Sequence, residues 1–149
     1  MLVVFESEYF QIIVPERPHV SREDGGHLII APKRQVEDRT KLTTLQAKEL
    51  MKLTMVTGEA IRTVLASSGI DLGRINYQDN GNWRPELHIH LYGRAKSAVT
   101  QPYGTPLKFP ATKEEFDAQT ALEPLHKDEA AAIGEEIKRL LNTEKYKNF

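Results

Sequence analysis

The chain contains no cysteine among its 149 residues, which excludes disulfide bonds, thiolate metal ligands and a cysteine nucleophile. Aromatic residues make up only 7% of the chain, and no apolar run approaches the length that crosses a bilayer. The apolar N-terminal segment has no basic stretch before it and acidic residues directly after it, so we expect no secretory signal. The net charge of −1 gives no overall attraction to nucleic acid or to anionic membranes. These absences predict a cytoplasmic protein whose partners include neither nucleic acid nor membrane.

Short apolar segments near the N-terminus have the composition of β-strands. Leu2–Phe5 and Phe10–Val14 predict an antiparallel pair joined by a tight turn. His27–Ala31 predicts a third strand, which is entered through two glycines and ends at Pro32.

A long helix follows these strands. Thr43 and Gln46 predict a capping box at its start, and apolar residues recur at helical spacing up to Ser67–Gly69. Two further strands are predicted at Arg74–Gln78 and Leu87–Tyr92. The order of these elements predicts an α+β fold, with an antiparallel sheet and a long helix packed across one face.

The C-terminal third has a weaker pattern. We expect residues 1–94 to form the core and residues 95–149 a helical extension packed on the same domain. Three prolines and one glycine predict that residues 96–112 form a surface loop, and apolar spacing predicts a helix over Asp128–Leu141. The charged tail, Asn142–Phe149, is expected to fray.

The most informative residues are His88 and His90, which are separated by one apolar residue. In a β-strand this spacing places both imidazoles on one face and Leu87, Ile89 and Leu91 on the other. Two imidazoles on one face can serve as nucleophile, as acid and base, or as metal ligands. Metal binding would need a third ligand, and the candidates are His27, Glu86 and His126. His19 and His126 are expected at the surface.

A polar turn, Asn76–Asn82, comes shortly before the two histidines. Asn80-Gly81 is a strong turn signal, so a simple hairpin explains these residues. The same residues also suit phosphate binding, because Gly81 lets a phosphate approach the backbone and the Asn82 amide can donate a hydrogen bond without bringing charge.

Together these residues resemble the histidine triad (HIT) superfamily. Gly26–Arg34 is similar to the family's strand G-H-(apolar)₃-x-P-K-R, and Asn76–Arg94 is similar to its signature N-Y-x-x-x-G-N-x-x-P-H-L-H-x-H-L-I-P-R. The resemblance extends from residue 1 to about residue 94. In this alignment Glu86 occupies the position of the first triad histidine, His88 that of the second and His90 that of the third.

The resemblance implies a HIT-like fold and a nucleotide hydrolase or nucleotidyl transferase. In such enzymes the second histidine, here His88, attacks the α-phosphorus of a nucleoside phosphate derivative. A nucleotidyl-histidine forms, and water then releases the nucleoside monophosphate without a metal ion or other cofactor. The third histidine, here His90, contacts the phosphate and the leaving group.

The resemblance also implies a binding site and a partner. The expected substrate-binding residues are Asn76, Gly81, Asn82, His27 and Glu86, and Glu16 is a candidate for ribose binding. The base is expected between strands near Phe5, Phe10 and Ile12. A second copy of the chain is expected as partner in a homodimer.

The glutamate in place of the first histidine leaves the activity open. Its carboxylate can pair with His27 or His88 and raise the imidazole pKa, which would weaken a nucleophile. It can also accept an imidazole N–H and fix the tautomer. Two alternatives to an active enzyme therefore remain. One is a nucleotide-binding protein with weakened or absent turnover, and the other is a metal-binding protein using the strand histidines.

Overall fold

The computed structural model describes all 149 residues, and its centre is one five-stranded sheet. The strands are β1 (Leu2–Glu6), β2 (Phe10–Val14), β3 (His27–Pro32), β4 (Leu72–Gln78) and β5 (Ile89–Ala95). They lie in the order β1-β2-β3-β5-β4, and every neighbouring pair is antiparallel. The predicted α+β class with an antiparallel sheet is confirmed.

Four α-helices and one short 3₁₀ helix accompany the sheet. They are α1 (Thr44–Ser67), α2 (Lys113–Ala118), α3 (Lys127–Leu141), α4 (Glu144–Lys147) and the 3₁₀ helix Arg39–Lys41. The predicted capping box begins α1: the Thr43 hydroxyl accepts from the Gln46 N–H, and the Gln46 side chain accepts from the Thr43 N–H. No helix combines the length and the apolar character needed to cross a membrane.

One face of the sheet packs against α1 and α3 and forms the main core. Ile12 and Ile30 are opposite each other on β2 and β3, and both are inaccessible to solvent. The helices contribute Ile61 from α1 and Ile133 and Ile137 from α3, all equally buried. Each such side chain contributes about 1.5–3 kcal/mol relative to an exposed one, so this face supplies most of the hydrophobic stabilisation.

The predicted base pocket near Phe10 and Ile12 is wrong. Side chains alternate between the two faces of a strand, and both of these belong to the helix-side core, where neither is accessible. Phe5 packs against the same core. The opposite face of the sheet carries Ile29 and His90, which are register partners on β3 and β5.

The chain after β5 covers this second face before it returns to the helical side. The buried Asp24 carboxylate accepts the backbone N–H groups of Val99 and Gln101 at 2.9 and 2.8 Å. Arg17 Nη2 donates to three carbonyl groups at the end of α2, those of residues 116, 117 and 119. The loop before β3 thus holds the extension against the sheet.

The expectation of a frayed tail is wrong. Tyr146 on α4 is completely buried, and its hydroxyl donates to Glu59 Oε1 on α1 at 2.6 Å. Lys145 Nζ donates to the same oxygen at 2.7 Å. Because the tail is mostly charged, its composition does not indicate that the buried Tyr146 fixes it to α1.

The last strand starts two residues later than the sequence predicts, at Ile89, and it runs on to Ala95. β4 ends at Gln78, opposite His90, so it offers no partner to Leu87. β3 continues to Pro32, which has no N–H, but its last pair with β5 is Ile30 with Ile89. The Leu87 N–H instead donates to the carbonyl of Val36 at 2.7 Å. Glu86 therefore lies outside the sheet, and the alternation of the strand does not direct its side chain.

Candidate active site

Two glycines bring the loop before β3 into direct contact with β5. Gly25 has φ +132°, which other residues rarely adopt, and a Cβ on Gly93 would overlap the carbonyl oxygen of Gly25. The Gly93 N–H donates to the carbonyl of Gly26 at 3.0 Å. This approach places His27 directly opposite Tyr92 in the β3–β5 register.

Hydrogen bonds fix the tautomers of two histidines. The backbone N–H of His19 donates to His27 Nδ1 at 3.1 Å, so in a neutral ring the His27 proton is on Nε2. His27 Nε2 lies 2.8 Å from His90 Nδ1 and donates to it. The proton of neutral His90 is therefore on Nε2, which has no partner within the protein and is not among its buried unpartnered atoms.

His88 is held in the opposite tautomer. Its Nδ1 lies 2.6 Å from the backbone carbonyl of Glu86, and a carbonyl can only accept, so Nδ1 carries the proton. The lone pair of neutral His88 is then on Nε2, which has no protein partner and is likewise not among the buried unpartnered atoms. The rings of His88 and His90 are in edge contact with centroids 4.7 Å apart. The pair presents one lone pair and one N–H donor next to each other.

Burial keeps the surrounding imidazoles neutral. It lowers the pKa of His90 to about 3 and that of His19 to about 4, and in both cases the charge of His88 adds to the effect. The pKa of the fully buried His27 is also well below its usual range, again mainly through desolvation. At neutral pH the N–H of His90 is consequently a hydrogen-bond donor and not an acid.

His19 belongs to this cluster, so the expectation that it lies on the surface is wrong. It is partly buried, its ring stacks on His27 with centroids 4.8 Å apart, and its Nδ1 lies 2.7 Å from the hydroxyl of Tyr92. Burial raises the pKa of Tyr92, which keeps that hydroxyl protonated. A lone histidine in a polar loop carries no local signal for such a role. His126, by contrast, is exposed, as expected, and it also pairs with Glu123.

A cleft of about 680 Å³ opens over the two catalytic candidates. His88, His90, Gly81 and Asn82 line it, together with the ribose candidate Glu16. The extension adds further walls that the sequence did not predict, namely Phe109, Lys113 and Phe116, and Trp83 faces Phe116 with ring centroids 5.5 Å apart.

Three predicted binding residues do not line this cleft. Asn76 accepts a hydrogen bond from Arg94 at 2.7 Å. His27 does not reach the cleft and instead donates a hydrogen bond to His90, which does. The Glu86 carboxylate accepts from Gln35 at 2.5 Å, so neither expected pairing, with His27 or with His88, is formed by its side chain. Its backbone carbonyl, and not its carboxylate, fixes the His88 tautomer.

The structure does not assemble the metal ligands proposed from the strand histidines and Glu86, because that carboxylate points to Gln35. A different set, His19, His27 and His90, has one nitrogen from each ring within 4.8 Å of the others. Both nitrogens of His27 already make hydrogen bonds, one as acceptor and one as donor. A neutral His27 bound to a metal through Nε2 would need its proton on Nδ1, but Nδ1 accepts a hydrogen bond here. The observed bonds therefore favour hydrogen bonding between these imidazoles over metal binding.

Comparisons with known proteins identify the family and the fold. The HIT domain matches residues 1–97, and the chain belongs to that family. Over 70 residues it is 31% identical to the AP-4-A phosphorylase of Mycobacterium tuberculosis, an alignment that covers 46% of this chain and only 36% of the relative. The shared segment is therefore about a third of that relative's length.

Solved structures show the same fold over nearly the whole chain. A histidine triad protein from Sinorhizobium meliloti superposes with a TM-score of 0.64 at 18% identity, over 93% of this chain and 87% of that one. A hypothetical histidine triad nucleotide-binding protein from Sulfolobus tokodaii gives 0.60 at 19% identity, over 93% and 85%.

Proposed function

We propose that this protein is a nucleotide phosphohydrolase or nucleotidyl transferase that attacks the α-phosphate of a nucleoside phosphate derivative through His88. The observation that carries the proposal is the bond from His88 Nδ1–H to the Glu86 carbonyl, which leaves the Nε2 lone pair free at the cleft. Membership of the HIT family and the similarity to an AP-4-A phosphorylase support a nucleotide substrate.

The chemistry proceeds in two displacements. His88 Nε2 forms a bond to the α-phosphorus while the bond to the leaving group breaks, and the leaving group departs with the electron pair. His90 Nε2–H donates a hydrogen bond to the phosphoryl group as charge develops, and His27 orients that donor. Water or an acceptor alcohol or phosphate then attacks phosphorus, its proton passes to solvent, and the electron pair of the P–N bond returns to His88.

Gly81 and Asn82 complete the phosphate site in this proposal. Gly81 has φ +61° and lies in the turn beside the histidines, where its backbone can come close to a phosphate. The Asn82 amide supplies an uncharged donor. Glu86 has no part in the chemistry beyond its carbonyl group, so replacement of the first triad histidine is compatible with turnover.

The test is release of nucleoside monophosphate, measured by chromatography. Adenosine 5′-phosphoramidate, diadenosine polyphosphates and ADP-sugars are incubated with the parent protein, with His88→Ala and with His126→Ala as a surface control. We expect release by the parent and by the control, none by His88→Ala, and a nucleotidyl adduct on acid-quenched parent protein in mass spectrometry. Equal release by His88→Ala would refute the nucleophile. Binding of AMP without release from any substrate would instead identify a binding protein.

The expected homodimer also stays a proposal. The edge strand β4 leaves one side unpaired, and Tyr77 on it is half-exposed. Light scattering after size-exclusion chromatography measures the mass: twice 16.9 kDa supports the dimer, and 16.9 kDa contradicts it.

A further inference from the structure

A second cavity, of about 390 Å³, lies beside the reactive cleft and is built largely by the extension. The two spaces share five lining residues: Arg17, His19, Phe109, Pro110 and Phe116. Residues 100–122 supply most of its remaining wall, and they lie beyond the part of the chain that the HIT domain matches. Any group bound there would be continuous with a substrate at His88 and His90.

The charge of this second cavity has one sign. Arg17 and Lys108 line it, and none of its lining residues is acidic. Neither cation makes an ion pair with a carboxylate of the protein. Arg17 Nη2 bonds only to main-chain carbonyls, and its Nε is buried without any partner. Arg17 and Lys108 therefore give the cavity two positive charges and no carboxylate to neutralise them, which suits it to an anion.

The position of the cavity relative to the nucleophile matters as well. His19 lies next to His90, with ring centroids 5.2 Å apart, and borders both spaces. His88 precedes His90 by two residues, just before β5 begins, and does not line the second cavity. An in-line displacement places the leaving group on the side of phosphorus away from the attacking nitrogen.

From this arrangement we infer that the second cavity is a subsite for the leaving group, and that Arg17 and Lys108 select leaving groups carrying at least one further phosphate. This inference rests on the proposed function, because a leaving group exists only if the protein turns over its substrate. The binding of a polyphosphate in this cavity does not depend on turnover. Thr100, Gln101 and Thr120 add uncharged polar groups to the same wall. Uncharged leaving groups such as ammonia gain nothing from the two cations.

Direct binding is measured first, with inorganic tripolyphosphate as the probe and isothermal titration calorimetry at low ionic strength, where screening is weak. We expect binding to the parent and to His88→Ala, and a loss of about tenfold in affinity in Lys108→Gln, which is the effect of one charge-assisted contact. Lys138→Gln is the matched control, because Lys138 is an exposed lysine on α3 that pairs with Glu135. Absence of binding to the parent, or equal affinity in Lys108→Gln and the control, overturns the inference.

Selectivity provides the second measurement. For Lys108→Gln we expect kcat/KM to fall about tenfold with diadenosine tetraphosphate and to stay within about twofold with adenosine 5′-phosphoramidate. An equal fall with both substrates indicates a structural effect and overturns the inference. Arg17→Lys keeps the charge but not the Nη2 group that donates to the end of α2, and we expect it to retain most of the tripolyphosphate affinity. If the parent binds tripolyphosphate yet releases no nucleotide from any substrate, the proposed function fails while the anion site stands.

Discussion

Asp24 offers a sharp test of how the extension is held over the histidine face. Only 4% of this residue is exposed, and its two carboxylate oxygens accept the N–H groups of Val99 and Gln101. No basic side chain pairs with it. In the Asp24→Asn variant the side chain keeps its size, but one acceptor oxygen becomes an NH₂ group that faces an N–H donor.

The cost follows from these two bonds. Each hydrogen bond to a charged acceptor contributes about 1.5–3 kcal/mol, and the Gln101 N–H is buried where water cannot replace the lost partner. Val99 is largely exposed, so its N–H can turn to solvent. We therefore expect a loss of about 2–4 kcal/mol in the free energy of unfolding for Asp24→Asn. With a urea slope of about 2 kcal/mol per M, the midpoint falls by about 1–2 M.

The assay is equilibrium urea denaturation at 25 °C followed by circular dichroism. Asp71→Asn serves as the control, because Asp71 is 74% exposed and pairs with Lys96 at the surface, so we expect a change below about 1 kcal/mol. Limited proteolysis provides a second measurement, with faster cleavage within residues 96–112 in Asp24→Asn. A cost equal to that of the control, or unchanged proteolysis, refutes the assigned role of this carboxylate.

Three further outcomes are expected. Glu86→Gln should leave nucleotide release within about twofold of the parent, because the carboxylate touches no histidine; a tenfold loss in the same chromatographic assay would contradict this assignment. Gly93→Ala should lower stability by more than about 3 kcal/mol, since its Cβ would overlap the backbone of Gly25, and an unchanged melting temperature would disprove that close approach. Tyr146→Phe keeps the buried ring and removes the hydroxyl bond to Glu59, so its urea midpoint should correspond to a loss of about 1 kcal/mol; no shift would mean that the ring alone holds the tail.

The parts of this protein that were predictable from sequence are those encoded by neighbouring residues. The first three strands, the N-cap of α1 at Thr43 and the spacing of His88 and His90 follow from alternation, capping and turn signals. The HIT resemblance combined two such local motifs in the right order, and the family was then confirmed.

Local pattern failed where the path of the chain decides which groups meet. His19 reaches Tyr92 across 73 positions, and nothing near His19 in the sequence indicates that contact. The assignment of Phe10 and Ile12 to a base pocket was wrong, because alternation separates two faces without stating which one the helices cover.

Glu86 shows most clearly what the sequence determined and what only the tertiary structure decided. The sequence determined that a carboxylate replaces a triad histidine, and that an imidazole two residues later belongs to the same short segment. Only the tertiary structure decided that this segment leaves the sheet before Ile89, which turns the carboxylate to Gln35 and the carbonyl to His88. The physical reason is that a strand continues only where a neighbour offers hydrogen-bond partners. β4 ends opposite His90, the last pair of β3 with β5 is Ile30 with Ile89, and the Leu87 N–H donates to the Val36 carbonyl instead.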